Sequence, residues 1–180
     1  MDLGTYGEHQ GRPAVRFERV YAHPVERVWQ AVATPEGLAH WFPSAVELEP
    51  REGGTITFSG DPNMEPTTGT VVAFEPPRLL AFTWGGDELR FGLEPAGDHG
   101  CRLTLVNVLG ETDAAARNAA GWSVCLAELD KHLAGAEAHG PHSATALSWK
   151  PLYEAYVASG MPSGAAVPGM PAEDGPVTGS

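Results

Sequence analysis

One stretch limits the fold more than any other. Thr112–Leu133, TDAAARNAAGWSVCLAELDKHL, reads as the single long helix of a chain otherwise built from short strand signals. Trp122, Leu126, Leu129 and Leu133 recur at helical spacing, with Cys125 beside Leu126 and Ala115 and Ala119 further back on the same face. Arg117, Glu128, Asp130 and Lys131 are expected on the opposite, solvent side. An apolar stripe of this length must be covered, and only strands are available to cover it. Thr112 or Asp113 is the expected N-cap, because a short oxygen side chain accepts from free first-turn N–H groups. Gly135 is the expected stop. Two residues are unusual for a plain core helix. Asn118 lies one turn before Trp122 on the buried side. Gly121 sits mid-helix, where glycine costs about 1 kcal/mol relative to alanine. A glycine there makes room for a close neighbour or for a ligand.

The remaining segments fit that constraint. Residues 1–13 are polar and glycine-rich and are expected to form a flexible arm. Ala14–Tyr21 alternates as a strand. Pro24 opens a short amphipathic helix carrying Val25, Val28, Trp29 and Val32. Pro35 opens a second helical piece with Leu38, Trp41 and Phe42, ended by Pro43. Strand signals follow at 45–49, 55–59, 69–74, 79–84, 88–94 and 101–108, separated by glycine and proline turns. This spacing argues an antiparallel meander closed by the long helix. The domain therefore spans 14–135. Residues 136–147 read as a linker. Trp149, Leu152, Tyr153, Tyr156 and Val157 mark a short amphipathic helix at 148–159. Such a helix is marginal alone in water and is expected to dock on its own chain or on a second copy in a homodimer. Residues 160–180 read as a flexible Pro/Gly/Ala-rich tail.

Alternation assigns an inward face: Ile56, Phe58, Val72, Phe74, Leu80, Phe82, Trp84, Leu89, Phe91, Leu93, Leu103, Leu105 and Asn107. With Trp41, Phe42, Asn118, Trp122 and Leu126 added, the lining is apolar and rich in aromatic rings. It reads either as a core filled by its own side chains or as the wall of a cavity between sheet and helix. In the cavity reading the ligand-binding residues are Trp41, Phe42, Phe58, Phe74, Phe82, Trp84, Phe91, Leu105, Asn107, Asn118, Trp122 and Leu126. Asn107 and Asn118 are then either bonded to each other or free to orient a polar group on the ligand.

Little in this pattern carries chemistry. The net charge of −12 and only two lysines, Lys131 and Lys150, exclude a phosphate-binding surface for nucleic acid and disfavour an anionic membrane. No apolar run approaches the ~20 residues of a membrane span. Cys101 and Cys125 form no CxxC motif, and a cytoplasmic protein with reduced thiols is expected. The histidines do not converge as zinc ligands would; only His139 and His142 share a short spacing, in the linker. Glu47, Glu49, Glu65, Glu88 and Glu94 read as solvated. Neither a catalytic residue, nor a metal, nor a cofactor is expected.

Several local motifs resemble one family. Pro24, Val28 and Trp29; Pro35, Glu36, Leu38, Trp41 and Phe42; Gly69, Val71, Glu75, Pro76, Pro77, Leu80, Phe82 and Trp84; and Arg102, Leu103, Thr104, Leu105, Gly121 and Trp122 fall in the order seen in bacterial proteins similar to the activator of Hsp90 ATPase homologue 1, within the START-like (SRPBCC) superfamily. Cys101 stands where that pattern has threonine, and Asn107 where it has histidine. The resemblance covers about Val15–Leu133. It implies an α+β helix-grip (START/Bet v 1-like) fold, a curved antiparallel sheet wrapped around a long C-terminal helix. The aromatic-rich inward face without convergent titratable groups points to binding of a small hydrophobic or aromatic molecule without catalysis. A polyketide cyclase- or hydrolase-like enzyme and a co-chaperone-like interaction module are the alternatives the resemblance leaves open.

Overall fold

The structure, a computed structural model, describes residues 2–167. It contains eight strands: β1 (Thr5–His9), β2 (Arg12–Tyr21), β3 (Ala45–Leu48), β4 (Thr55–Ser59), β5 (Thr67–Glu75), β6 (Leu79–Trp84), β7 (Asp87–Ala96) and β8 (Gly100–Val108). Helices α1 (Val25–Ala33) and α2 (Pro35–Leu38) follow β2; α3 (Ala115–Leu133) and α4 (Trp149–Ala158) follow β8. All pairings are antiparallel, in the order β1-β2-β8-β7-β6-β5-β4-β3. This is the expected helix-grip arrangement, with the sheet curved around α3.

Three local devices shape it. Thr34 Oγ1 donates to Gln30 O at 2.7 Å and accepts from Gly37 N at 3.1 Å, so one hydroxyl ends α1 and caps α2. Gly37 lies so close to α1 that an added Cβ would sit 2.1 Å from Gln30 O. Trp41 then donates its indole N–H to Ala31 O at 2.9 Å, bringing its ring into the core.

Several expectations are corrected. The segment expected as a loose arm forms β1, paired along its length with β2. Gln10 and Gly11 make its turn, both at positive φ (51° and 78°), which matches the twist of a two-residue hairpin. Gly4 fits there because a Cβ would meet the Phe17 ring at 2.4 Å. A register shift between Val71 and Ala73 turns Val71 inward in place of Val72. Neither Thr112 nor Asp113 caps α3; Ala116 N donates to Pro162 O at 2.9 Å instead. Glu128, expected on the solvent side, is fully buried. It pairs with Lys131 and accepts from His139 N at 3.2 Å, which ties the linker to α3. Gly135, at φ 78°, ends α3 as expected.

The short terminal helix docks on α3 of its own chain. Tyr156 is buried, its hydroxyl 2.7 Å from Ser123 Oγ and accepting from Gly4 N at 2.8 Å. The segment after it is also held, since Met161 is buried and Ala165 N donates to Asp113 O. Most of the tail expected to be flexible, residues 168–180, lies outside the described residues.

His40 and His132 stack with ring centroids 4.0 Å apart. Partial burial pushes the His132 imidazole below its ordinary value, and the charges of His40 and Arg27 push it the same way. The folded state thus favours neutral His132, and the unfolded chain binds the proton more readily. Stability from this site is undiminished above about pH 6.5 and is lost as pH falls below that. Thermal unfolding followed from about pH 7.5 to about pH 5.5 should show a shallower decline for His132→Asn than for the parent chain. Identical slopes would remove His132 from the account.

Candidate ligand-binding site

Between sheet and helix the aromatic rings pack on one another. Phe42, on the loop after α2, is the hub. Its ring lies 5.9 Å from Trp41, 6.1 Å from Phe58, 6.2 Å from Phe82, 6.1 Å from Trp84 and 5.7 Å from Trp122, centroid to centroid. Phe82 is 5.6 Å from both Phe58 and Phe91. These tilted and edge-on separations are those of packed aromatic pairs. Trp41, Phe42, Phe58, Phe82, Phe91, Leu105 and Leu126 are all buried in this cluster. Phe74 is half-buried and packs on Trp29 of α1, 5.7 Å away.

An open space lies at one end of the sheet. A cavity of about 540 Å³ is bounded by the β6–β7 turn (Trp84–Asp87) and by Arg117, Asn118, Gly121, Trp122, Val124 and Cys125 of α3. The β4–β5 loop contributes Asp61, Asn63 and Met64, and Pro43 closes one side. The fourth wall is Pro141, His142, Leu147 and Trp149, from the linker and the start of α4. Of the twelve residues expected to bind a ligand, Trp84, Asn118 and Trp122 line this cavity. Asn107 stands just behind the wall, and the other eight belong to the core or its edge.

A polar knot holds this end together. Asn107 Nδ2 donates to Asp87 Oδ2 at 2.9 Å, and Asn118 Nδ2 donates to the same oxygen at 3.0 Å. Asn118 Nδ2 also lies 3.0 Å from Asn107 Oδ1, which accepts from the Trp122 indole at 3.1 Å. Gly110 N donates to Asp87 Oδ1 at 2.8 Å. The two asparagines are thus bonded to each other and to Asp87. Strand alternation points to Asn107 and the helical period to Asn118, but Asp87 falls between two strand signals and has no period to mark it; two inward amides needing an acceptor were the available clue.

Gly121 faces the space, since a Cβ there would meet no heavy atom within 4 Å. Burial pushes the Cys125 thiol far above its ordinary value, with the charges of Asp61 and Glu128 adding to the effect, so it stays protonated. His142 Nε2 lies 3.0 Å from Pro43 O and 3.5 Å from Asp61 Oδ1. A carbonyl only accepts, so Nε2 carries a proton. Among the described residues no three of His, Cys, Asp and Glu converge as metal ligands would. The carboxylates of Glu49, Glu88 and Glu94 pair with Arg51, Arg90 and Arg102, away from the cavity.

The family model for activator of Hsp90 ATPase homolog 1-like proteins matches residues 22–134, more than half of the chain. The chain belongs to that family. The family match holds α1 to the end of α3 and leaves out β1, β2, the linker and α4. Solved structures with the same fold include the protein encoded by gene BPP1335 from Bordetella parapertussis, 30% identical, covering 81% of this chain and 83% of that one, with a TM-score of 0.61. CalU16 from Micromonospora echinospora is 23% identical over 82% of this chain and 87% of its own, TM-score 0.62. The conserved protein of unknown function EF2215 from Enterococcus faecalis is 19% identical over 87% and 89%, TM-score 0.68. No curated protein matches the chain.

Asp87 is the acceptor on which the knot turns. Asp87→Ala strands the Gly110 N–H and both amides, and should lower unfolding free energy by about 2–3 kcal/mol in urea. Asp87→Asn, which keeps an acceptor oxygen, should lose less. Equal losses for the two variants would contradict this role.

Proposed function

We propose that the chain binds one small, flat, largely apolar molecule in the rim cavity and holds it without transforming it. The observation that carries this reading is the wall itself. Three indoles from three separate elements, Trp84 of β6, Trp122 of α3 and Trp149 of α4, border about 540 Å³ of space with Met64, Val124 and Leu147. That size suits a small organic ligand, and an apolar lining with a few placed polar groups is the usual character of such sites.

The polar groups support holding more than chemistry. Asp87 already accepts three N–H groups, the Cys125 thiol is un-ionised, and the amides of Asn107 and Asn118 are poor acids and bases. The family resemblance and the fold fit this reading, because a sheet wrapped around a helix offers a protected mouth. Both cysteines are free and buried, which supports residence in the cytoplasm. No described helix is long and apolar enough to cross a membrane.

Gly121 offers a direct test. Gly121→Ala should raise stability by about 0.5–1 kcal/mol, as expected for removing a mid-helix glycine. Gly121→Leu should fold equally well and project its side chain into the cavity. Titration with indole and naphthalene, read by quenching of tryptophan fluorescence, should show saturable binding to the parent chain and clearly weaker binding to the leucine variant. Absence of binding to the parent chain, or equal binding to both, would overturn the reading.

A further inference from the structure

The cavity wall carries two carboxylates, and neither has a fixed cation. Asp87 accepts only from neutral donors, the Gly110 N–H and the two asparagine amides. The Asp61 side chain is 7% exposed; its Oδ1 accepts from Asn63 N at 2.8 Å, and its Oδ2 accepts no hydrogen bond among the described residues. No lysine or arginine lies within ion-pair distance of either carboxylate among the described residues. His142, 3.5 Å from Asp61, compensates its charge only when protonated, and its Nε2 is closer to Pro43 O. The one arginine on the wall, Arg117, is turned elsewhere. Its Nε donates to Asn118 Oδ1 at 3.1 Å and its Nη1 to Ala166 O at 2.9 Å. A cation entering the cavity therefore meets negative charge that no fixed positive group already neutralises.

The indoles share the same preference. Trp84 and Trp122 stand 5.4 Å apart at 53°, so two tilted rings border the space, and Trp149 faces it with Tyr153 stacked behind at 4.7 Å. Ring faces carry negative charge density and attract cations, most strongly for tryptophan. The whole chain, at −12, concentrates cations around itself.

We propose that the ligand of the rim cavity is an organic cation: an aromatic or alicyclic amine or quaternary ammonium, its charge beside Asp61 and its apolar body against the indoles. This rests on the binding role proposed above and names the ligand class. Trp149 and His142 lie beyond the family match at residues 22–134, so the preference draws on the C-terminal segment as well as on the matched domain.

Three probes of similar size test it on the intact chain by calorimetry at low salt: phenyltrimethylammonium, its uncharged isostere tert-butylbenzene, and benzenesulfonate. The cation should bind about tenfold or more tighter than tert-butylbenzene, with a gap that narrows as salt is added. Benzenesulfonate should bind weakest. Asp61→Asn should bring the cation to the level of tert-butylbenzene and leave the latter unchanged. Equal binding of cation and isostere in the parent chain would overturn the inference while leaving the cavity's binding role intact. Tightest binding of benzenesulfonate would also overturn it and assign the cavity to Arg117. Binding of none of the three would remove both readings.

Discussion

The carboxylate of Asp87 joins the sheet to the long helix at one end of the fold. It gathers the Asn107 amide from β8, the Asn118 amide from α3 and the backbone of Gly110 in the β8–α3 connection. Asn107 in turn fixes the Trp122 indole. The separation of the β6–β7 turn from α3 is thereby set by hydrogen bonds of 2.8–3.1 Å, whose loss inside a folded chain is costly. Apolar packing alone tolerates sliding; a polar knot with directional partners does not. With that end held open and its indoles fixed, the interior closes by ring packing around Phe42, and the space is left at the rim.

Much of this was legible in the residues. The period of the α3 stripe, the prolines opening α1 and α2, and the alternation of six short strands carried the fold, because burial on one face imposes those periods directly. The misses have physical causes. The β1–β2 hairpin turns on Gln10-Gly11, where glutamine at positive φ takes the place of the usual asparagine, so no turn signal marked it. A bulge in β5 exchanged Val71 for Val72, and a one-residue slip reverses every side chain beyond it. Glu128 followed the helical period onto what looked like the wet face, but the returning linker covers that face. The site was harder still. Alternation finds which rings point inward and says nothing of whether they fill the volume. Two walls of the cavity, 61–64 and 141–147, come from irregular segments with no period to read.

The cavity wall is drawn from both sides of the boundary where the family match ends. The family domain supplies Trp84, Asp87, Asn118, Gly121 and Trp122. The extension supplies Pro141, His142, Leu147 and Trp149, held in place by Glu128 and Lys131 on one side and by buried Tyr156 on the other.

The central claim is positional: the ligand space is at the rim, and the aromatic interior is closed. Crystals soaked in a brominated benzene locate such a ring by the anomalous signal of its bromine. The account predicts one peak between Trp122 and Trp149, beside Gly121. A peak among Phe58, Phe82 and Phe91, or a soaked crystal with an empty rim, would contradict it.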